Sequence, residues 1–445
     1  MPRARESRAE RRGVAFLQEL HCLKYCRASL FDLNEGPLVT NGDGLTINGR
    51  FLTQRMTGVQ RYAREITLEL DQLLKSSPFR EGAQAELIVP AGSKPDVALR
   101  AISIKETRLG GGPLWTQFVL PFAKQGVLLS LGNIGPVLAL KQIICIHDLN
   151  TLLVPESYSR AFRLYYRAAL APLARNAARV VTVSNFSAAM LDKFGLRRRE
   201  EIAVIPNGHE HVKNWRPERS AYAAKGENQR PFVFVLGSRA VHKNVEMLFS
   251  IAQELDALGL DIWVAGASGG YFSAVDKRPA PPNVRMLGFV TDDDLAALYG
   301  QALCFAFPSL TEGFGLPVLE AMTLGCPVVA SNAASLPEVC GDAGLLADPK
   351  SSRNWLNQIG RLAADPGLVR DLRAKGVGQA QRFSWKTSAK AYLDLIAPLT
   401  GLPARPQLKE PPKGVKRMPR DSKRGRLETC RWLQISRSTP VLWAP

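Results

Sequence analysis

Pro308-Ser309-Leu310-Thr311-Glu312-Gly313-Phe314-Gly315-Leu316-Pro317-Val318-Leu319-Glu320 follows the apolar run Cys304 to Phe307 and decides how the chain is read. A buried strand ends, a glycine-bearing loop follows, and Pro317 stands where a helix begins, a place that suits a residue without an N–H. Gly313 and Gly315 allow backbone to approach a ligand closely, and the unpaired N–H groups of a helix start bind anionic oxygens. Glu312 lies in the loop and Glu320 about one turn into the helix. Carboxylates accept hydrogen bonds from hydroxyls, so the loop suits a sugar with a nucleotide attached. The plain alternatives are that Glu320 offsets the helix dipole, Glu312 is solvated and the glycines serve a turn.

Outward from this loop, short apolar runs alternate with amphipathic segments, the pattern of βαβ units around parallel sheets. Strands are expected at 45–47, 85–89, 127–130, 142–146, 180–183 and 202–205, with helices at 58–74, 158–178 and 187–194. A second set follows, with strands at 232–236, 262–265, 284–287, 304–307 and 328–331 and helices at 244–258, 292–301 and 317–324. The polar stretch from His209 to Arg230 separates the sets. The expected fold is α/β, two Rossmann-like domains facing across a cleft, over 45–215 and 216–400, with the last helix packing back on the first domain. Residues 1–44 form an N-terminal extension and 401–445 a basic, Pro-rich tail without periodicity.

The 445 residues are 46% hydrophobic and 22% charged, which excludes collagen-like, disulfide-scaffold and mostly disordered classes. Seven scattered cysteines form no CxxC pair, and His21, Cys22 and Cys26 lack a second pair at zinc spacing. A reducing cytoplasm is expected. No stretch reaches the roughly 18–20 apolar residues of a membrane helix, and Arg3 to Arg12 lead into no secretory core. Of the net +18, residues 1–44 carry +1, residues 403–445 carry +8 and the rest +9. No nucleic-acid motif accompanies that charge, so no nucleic-acid partner is expected.

The Glu312 to Glu320 segment resembles the E-x7-E signature of the retaining nucleotide-sugar glycosyltransferases of family 4. Downstream Glu320 to Ser331 and Ser335 to Gly341 resemble the family too, as do upstream Gly237 to Asn244, Val204 to Gly208, Ile146 to Leu149, Asn48 to Arg50 and Thr57 to Ala63. The resemblance covers roughly residues 45 to 400. It implies a GT-B fold with the donor held mainly by the second domain, and metal-independent transfer with no cofactor. It further implies that Glu320 bonds the donor ribose, Glu312 lies against the sugar hydroxyls, and the amides of Gly313, Phe314, Gly315 and Leu316 hold sugar and diphosphate. Retention is explained in this family by same-face attack within a short-lived ion pair, the leaving phosphate taking the acceptor's proton.

Lys243 follows the first strand of the second set by a short loop, which places it at the carboxyl edge as the cation for the leaving diphosphate. Arg239 stands four residues before Lys243, where many relatives have an arginine five before, and is a diphosphate candidate by resemblance. His147, at the end of the strand before Asp148, becomes by resemblance a contact to donor sugar or acceptor. Gly58 offers amides to the diphosphate or simply begins a helix, and Asn207 and Gly208 permit closure or form a turn. Asp292-Asp293-Asp294 opens a predicted helix, where acids offset the dipole more simply than they bind metal.

The expected partners are a nucleotide-sugar, with GDP-mannose the first choice because 57–63 and 237–244 look most like O-antigen mannosyltransferases, and a glycan or lipid-linked glycan acceptor. Rhamnose or glucose from a UDP- or dTDP-donor, and a catalytically inactive assembly protein, stand as alternatives. The basic tail tethers the enzyme to the inner face of an anionic membrane or is a dispensable extension.

Overall fold

The computed structural model describes residues 44–76, 84–93, 95–224, 229–237, 240–266 and 281–400. Residues 1–43 of the expected N-terminal extension, the basic tail and Arg239 lie outside them, while Gly44 already belongs to the first strand. The first sheet holds seven strands: β1 (Gly44–Asn48), β2 (Gln84–Val89), β3 (Ile102–Glu106), β4 (Val127–Ser130), β5 (Gln142–Cys145), β6 (Arg179–Thr182) and β7 (Ile202–Val204). All pair in parallel, in the order β3-β2-β1-β4-β5-β6-β7. The second sheet holds β8 (Phe232–Gly237), β9 (Asp261–Gly266), β10 (Val284–Gly288), β11 (Cys304–Phe307), β12 (Val328–Ser331) and β13 (Leu345–Ala347). These are also parallel, ordered β10-β9-β8-β11-β12-β13. Both are doubly wound orders that reverse direction once, between β1 and β4 and between β8 and β11. Ligands of such sheets bind beyond the strand ends at that reversal.

The central strands read as continuous apolar runs because helices cover both faces of a parallel sheet. Every residue of β4, β5, β11 and β12 is buried. The edges are harder to read. Only Ile102 of β3 is buried, and β13 is three residues long, so neither carries the apolar run by which the other strands are recognised. The helix expected over 244–258 is two short helices, Glu246–Phe249 and Ala252–Ala257. At the break, Ser250 Oγ donates to the Met247 carbonyl at 2.6 Å, competing with the helical ladder.

Three helices close the second half, Ser352–Ala364, Pro366–Ala380 and Trp385–Thr400. The last packs on helix Gly58–Ser76 and on β1 and β4 of the first sheet. Tyr392 and Tyr62 join their hydroxyls at 2.9 Å in that contact, and Tyr62 also donates to the Ile205 carbonyl at 3.1 Å. The chain therefore crosses between the sheets twice, and the crossings are stapled together. Glu210 in the linker accepts from the Trp385 N–H at 2.9 Å and from the Ser384 hydroxyl. Gly208 lies so close to Trp385 that a Cβ there would stand 2.1 Å from the Trp385 nitrogen. Close approach to the last helix is what demands glycine at 208.

Candidate active site

The loops after β8 and β11 meet at the strand reversal of the second sheet, stitched by backbone and side-chain bonds. The Leu310 N–H donates to the His242 carbonyl at 2.7 Å. Asn244, held left-handed at φ 52°, donates to the Pro308 and Pro349 carbonyls at 3.1 and 2.9 Å. Asparagine tolerates that conformation better than most residues, and the turn it makes fixes the preceding residue. Lys243 Nζ consequently lies 2.8 Å from Glu312 Oε1 and 5.2 Å from the centre of the Phe307 ring. An ammonium and a carboxylate from opposite sides of the reversal are thus joined, both largely but not wholly buried, at 24% and 12% side-chain exposure.

Glu312 begins the loop that precedes helix Leu316–Thr323. Gly315 caps that helix at φ 103° with no side-chain partner, and a Cβ on it would meet Leu336 Cδ2 at 2.6 Å. Below the loop, Ser335 Oγ donates to the carbonyls of Glu312 and Phe314 at 3.0 and 2.8 Å. Phe314 is buried edge-on against Phe383. Leu316, first in the helix, is also buried; Pro317 has no N–H, and the N–H groups of Val318 and Leu319 donate to the Gly315 carbonyl at 3.0 and 3.4 Å. The loop is rigid through bonds to carbonyls that a ligand does not need.

From the first sheet, the loop after β5 comes against this one. Thr311 Oγ1 donates to Asn150 Oδ1 at 3.2 Å, and Ser187 Oγ donates to the carbonyls of His147 at 2.9 Å and Gly313 at 3.2 Å. A Cβ at Gly313 would come within 2.3 Å of the His147 carbonyl oxygen and 3.0 Å of Asp148 Cβ. The first domain's backbone is therefore the neighbour that requires glycine at 313, where the sequence suggests a ligand. The His147 imidazole is buried, with Nε2 2.8 Å from the Leu131 carbonyl and the ring edge-on to Tyr62 at 4.8 Å. Asp148 accepts from the Asn150 N–H at 2.9 Å. Burial pushes its carboxyl above the ordinary range; that hydrogen bond pulls it back, and the Glu312 charge adds to the rise. On the other side, burial and the Lys243 charge lower His242.

Glu320 sits deeper, 5% exposed, in a contact the sequence alone does not reveal. His211, from the linker, places Nε2 3.0 Å from Glu320 Oε1, while Trp385 Nε1 lies 3.0 Å from His211 Nδ1. An indole N–H can only donate, so Nδ1 accepts and the ring proton is on Nε2, pointing at the carboxylate. One oxygen of Glu320 is engaged by a chain running from the last helix through the linker. The three residues are 109 and 174 positions apart in pairs. The segment His209-Glu-His211 shows polar residues after Asn207-Gly208, but no local pattern names their partner.

The carboxylates of 292–294 each hold protein donors: Asp292 pairs with Arg61 at 2.7 Å, Asp293 accepts from the Arg216 N–H at 2.6 Å, and Asp294 forms a capping box with Thr291. Gly58 is exposed at the first position of its helix, and a Cβ there would meet nothing within 4 Å. Packing does not require glycine at 58. Gly58→Ala should raise the melting temperature by about 1–3 °C, because alanine restricts the unfolded chain. If the Gly58 backbone faces a diphosphate, the same change should cut nucleotide-sugar turnover at least about tenfold, since a methyl displaces the ligand from the helix amides. Wild-type turnover in the stabilised variant would reduce Gly58 to a helix start.

Residues 128–212 match the family model "Glycosyltransferase Family 4" and residues 219–379 match "Glycosyl transferases group 1". The chain is 29% identical over 256 residues to O-antigen chain mannosyltransferase B of Escherichia coli, covering 55% of this chain and 67% of that one. It is 26% identical over 371 residues to the serotype-specific mannosyltransferase WbdA of Escherichia coli, covering 79% of this chain but 44% of the relative. A D-inositol 3-phosphate glycosyltransferase of Segniliparus rotundus is 30% identical over 230 residues, 48% of this chain and 51% of its own. Sucrose-phosphate synthase from Thermosynechococcus elongatus shares the fold at TM-score 0.61 and 19% identity, covering 81% of this chain and 99% of that chain. Alr3699/HepE from Anabaena, solved with UDP and glucose, does so at TM-score 0.56 and 18% identity, covering 80% and 100%. Two singly reversed parallel sheets, a lysine and glutamate joined at the reversal of the second, and family matches that fall on β4–β7 of the first sheet and on β8–β13 of the second place this chain in glycosyltransferase family 4, with the GT-B fold.

Proposed function

We propose that this protein transfers mannose from GDP-mannose, with retention and without a metal, to a glycan or lipid-linked glycan of a surface polysaccharide. The observation that carries the reading is the Lys243–Glu312 pair at the reversal between β8 and β11. It sets a cation for a diphosphate beside a carboxylate for sugar hydroxyls, in the place where this fold binds ligands. The choice of mannose rests on the names of two of the relatives given above.

In this reading the ammonium of Lys243 leaves Glu312 for the diphosphate as the donor enters, and compensates the charge that grows on the leaving phosphate. Glu312, freed of the lysine, accepts from hydroxyls of the sugar. The Leu316 end of the short helix and the Gly58 end of the long one supply amide dipoles from the two domains. Contacts such as Thr311 to Asn150 hold the loops together over the donor, which limits its loss to water. Incubation with GDP-mannose, UDP-glucose, UDP-N-acetylglucosamine and dTDP-rhamnose, reading released nucleotide, tests the donor. Turnover of a UDP- or dTDP-sugar with none of GDP-mannose would overturn mannose.

The position of Glu320 adds a second expectation. If its free oxygen bonds the donor ribose, Glu320→Ala should lose about tenfold in affinity for the ribonucleotide and almost nothing for the deoxy analogue. His211→Phe should reproduce part of that selective loss, because Glu320 Oε1 is then no longer held by Nε2. Equal losses for both nucleotides would mean that His211 and Glu320 support the fold and do not read the ribose.

A further inference from the structure

Of the motifs that carry the family resemblance, Asn48-Gly49-Arg50 has no part in the proposed reaction. The fold accounts for two of its residues. Asn48 Oδ1 accepts from the Arg50 N–H at 3.2 Å and caps the 3-10 turn Gly49–Thr53, and a Cβ on Gly49 would stand 2.6 Å from the Ile88 carbonyl oxygen of β2. The Arg50 side chain has no such duty. It is half-buried, and among the described residues its guanidinium pairs with no carboxylate; its side-chain bond runs from Nη1 to Thr116 Oγ1, at 3.5 Å.

Arg50 follows β1, and β1 and β4 flank the point where the first sheet reverses, the place where such a sheet takes its ligand. The second sheet keeps Lys243 at its own reversal, paired with Glu312; the first keeps a cation without a counter-charge. Hydroxyls surround it instead. Thr116 is fully buried, and the phenols of Tyr165 and Tyr166, from helix Arg160–Asn176, stand close enough to oppose the lowering that burial imposes on the guanidinium. Gln117 Nε2 reaches the Tyr165 hydroxyl at 3.5 Å and donates to the Gly135 carbonyl at 2.9 Å. The segments that carry these hydroxyls, 107–141 and 158–176, hold seven Lys and Arg and no Asp or Glu. Tyr166 leads back to the reaction centre: burial and then the Asp148 charge push its phenol up, and the Glu312 charge in turn acts on Asp148.

A guanidinium drawn partly out of water without a counter-charge is costly unless its ligand brings one. A neutral sugar would leave that charge unbalanced. Guanidinium and hydroxyl donors together match the several acceptor oxygens of a phosphate. We infer that Arg50, with Thr116, Tyr165 and Tyr166 about it, binds a phosphoryl group on the molecule that receives the sugar. Calling that molecule the acceptor rests on the transfer reaction proposed above, whereas the anion site does not. The acceptor is then a phosphate-bearing sugar or glycan, its phosphate at the reversal of the first sheet and its reacting hydroxyl towards Asp148 and Glu312.

Isothermal titration of the full-length chain without nucleotide tests the site, using methyl and undecyl mannoside and the corresponding methyl and undecyl mannosyl phosphates. The same compounds built on glucose keep the choice of sugar from deciding the outcome. Wild type should bind a phosphate about ten- to hundredfold more tightly than its phosphate-free counterpart. A gain in both pairs marks a soluble sugar phosphate as sufficient, and a gain in the undecyl pair alone marks a phosphate linked to a lipid. Arg50→Gln should abolish the gain, and Arg50→Lys should keep part of it, as a point charge without the planar fork. Lys243→Ala should keep the gain while losing nucleotide-sugar turnover, so that the transfer reading and the phosphate site fail by separate measurements. No preference for phosphate in wild type, or one that survives Arg50→Gln, would overturn the inference. Loss of the preference in Lys243→Ala would also overturn it, by moving the phosphate to the donor site. So would a melting temperature lowered by more than a few degrees in Arg50→Gln, which would make the guanidinium part of the fold.

Discussion

Lys243→Ala should lower the turnover of the nucleotide-sugar by about 10²–10³-fold, the range seen when one charge-stabilising group is removed from a site built around a developing anion. The effect on stability should be far smaller. Glu312 loses its partner at 2.8 Å, but both side chains keep some contact with water, so the cost should be about 1–2 kcal/mol and not that of a fully buried pair. The difference separates catalysis from packing. In Lys243→Met/Glu312→Gln no unpaired charge is left, so the melting temperature should return towards wild type while turnover stays low. Released-nucleotide kinetics and calorimetry on the two variants measure both quantities. Turnover within a few-fold of wild type in Lys243→Ala would show the pair to be structural only.

Gly313→Ala should cost turnover about 10²-fold with each sheet intact. The added Cβ would stand 2.3 Å from the His147 carbonyl oxygen, and neither partner is the end of a flexible side chain. Backbone must therefore move, and the cheapest movement separates the loop after β11 from the loop after β5. A displacement of about 1 Å between groups that must act together is enough for a loss of that size. The melting temperature should fall by only a few degrees, because the clash lies between the sheets. Gly315→Ala is the contrast: its φ of 103° and Leu336 at 2.6 Å lie within the second half, so its main effect should be thermal. Wild-type kcat in Gly313→Ala would show that the loops need not meet for turnover.

The legible parts of this protein are those whose signal is local. The apolar runs that became β4, β5, β11 and β12 could be read because a strand covered on both faces needs no polar alternation. The edge strands β3 and β13 lack that need and escaped. The loop from Pro308 to Glu320 was legible because a turn, a helix start and two carboxylates lie within thirteen consecutive residues. Its glycines were legible as glycines but not in their reasons: Gly313 yields to a carbonyl 166 residues earlier, and Gly315 to its own backbone angle and Leu336.

By itself the sequence determined two parallel-sheet halves, their order, a lysine and a glutamate in loops after strand ends, and a second glutamate one turn into the helix that follows, because strand direction and loop length carry that information along the chain. Only the tertiary structure decided which of these groups touch. It joined Lys243 to Glu312, hung Glu320 from His211 and Trp385, and buried the His147 ring. Such contacts depend on how two sheets and a returning helix pack, and a pattern that repeats every two or 3.6 residues holds no record of a partner a hundred residues away.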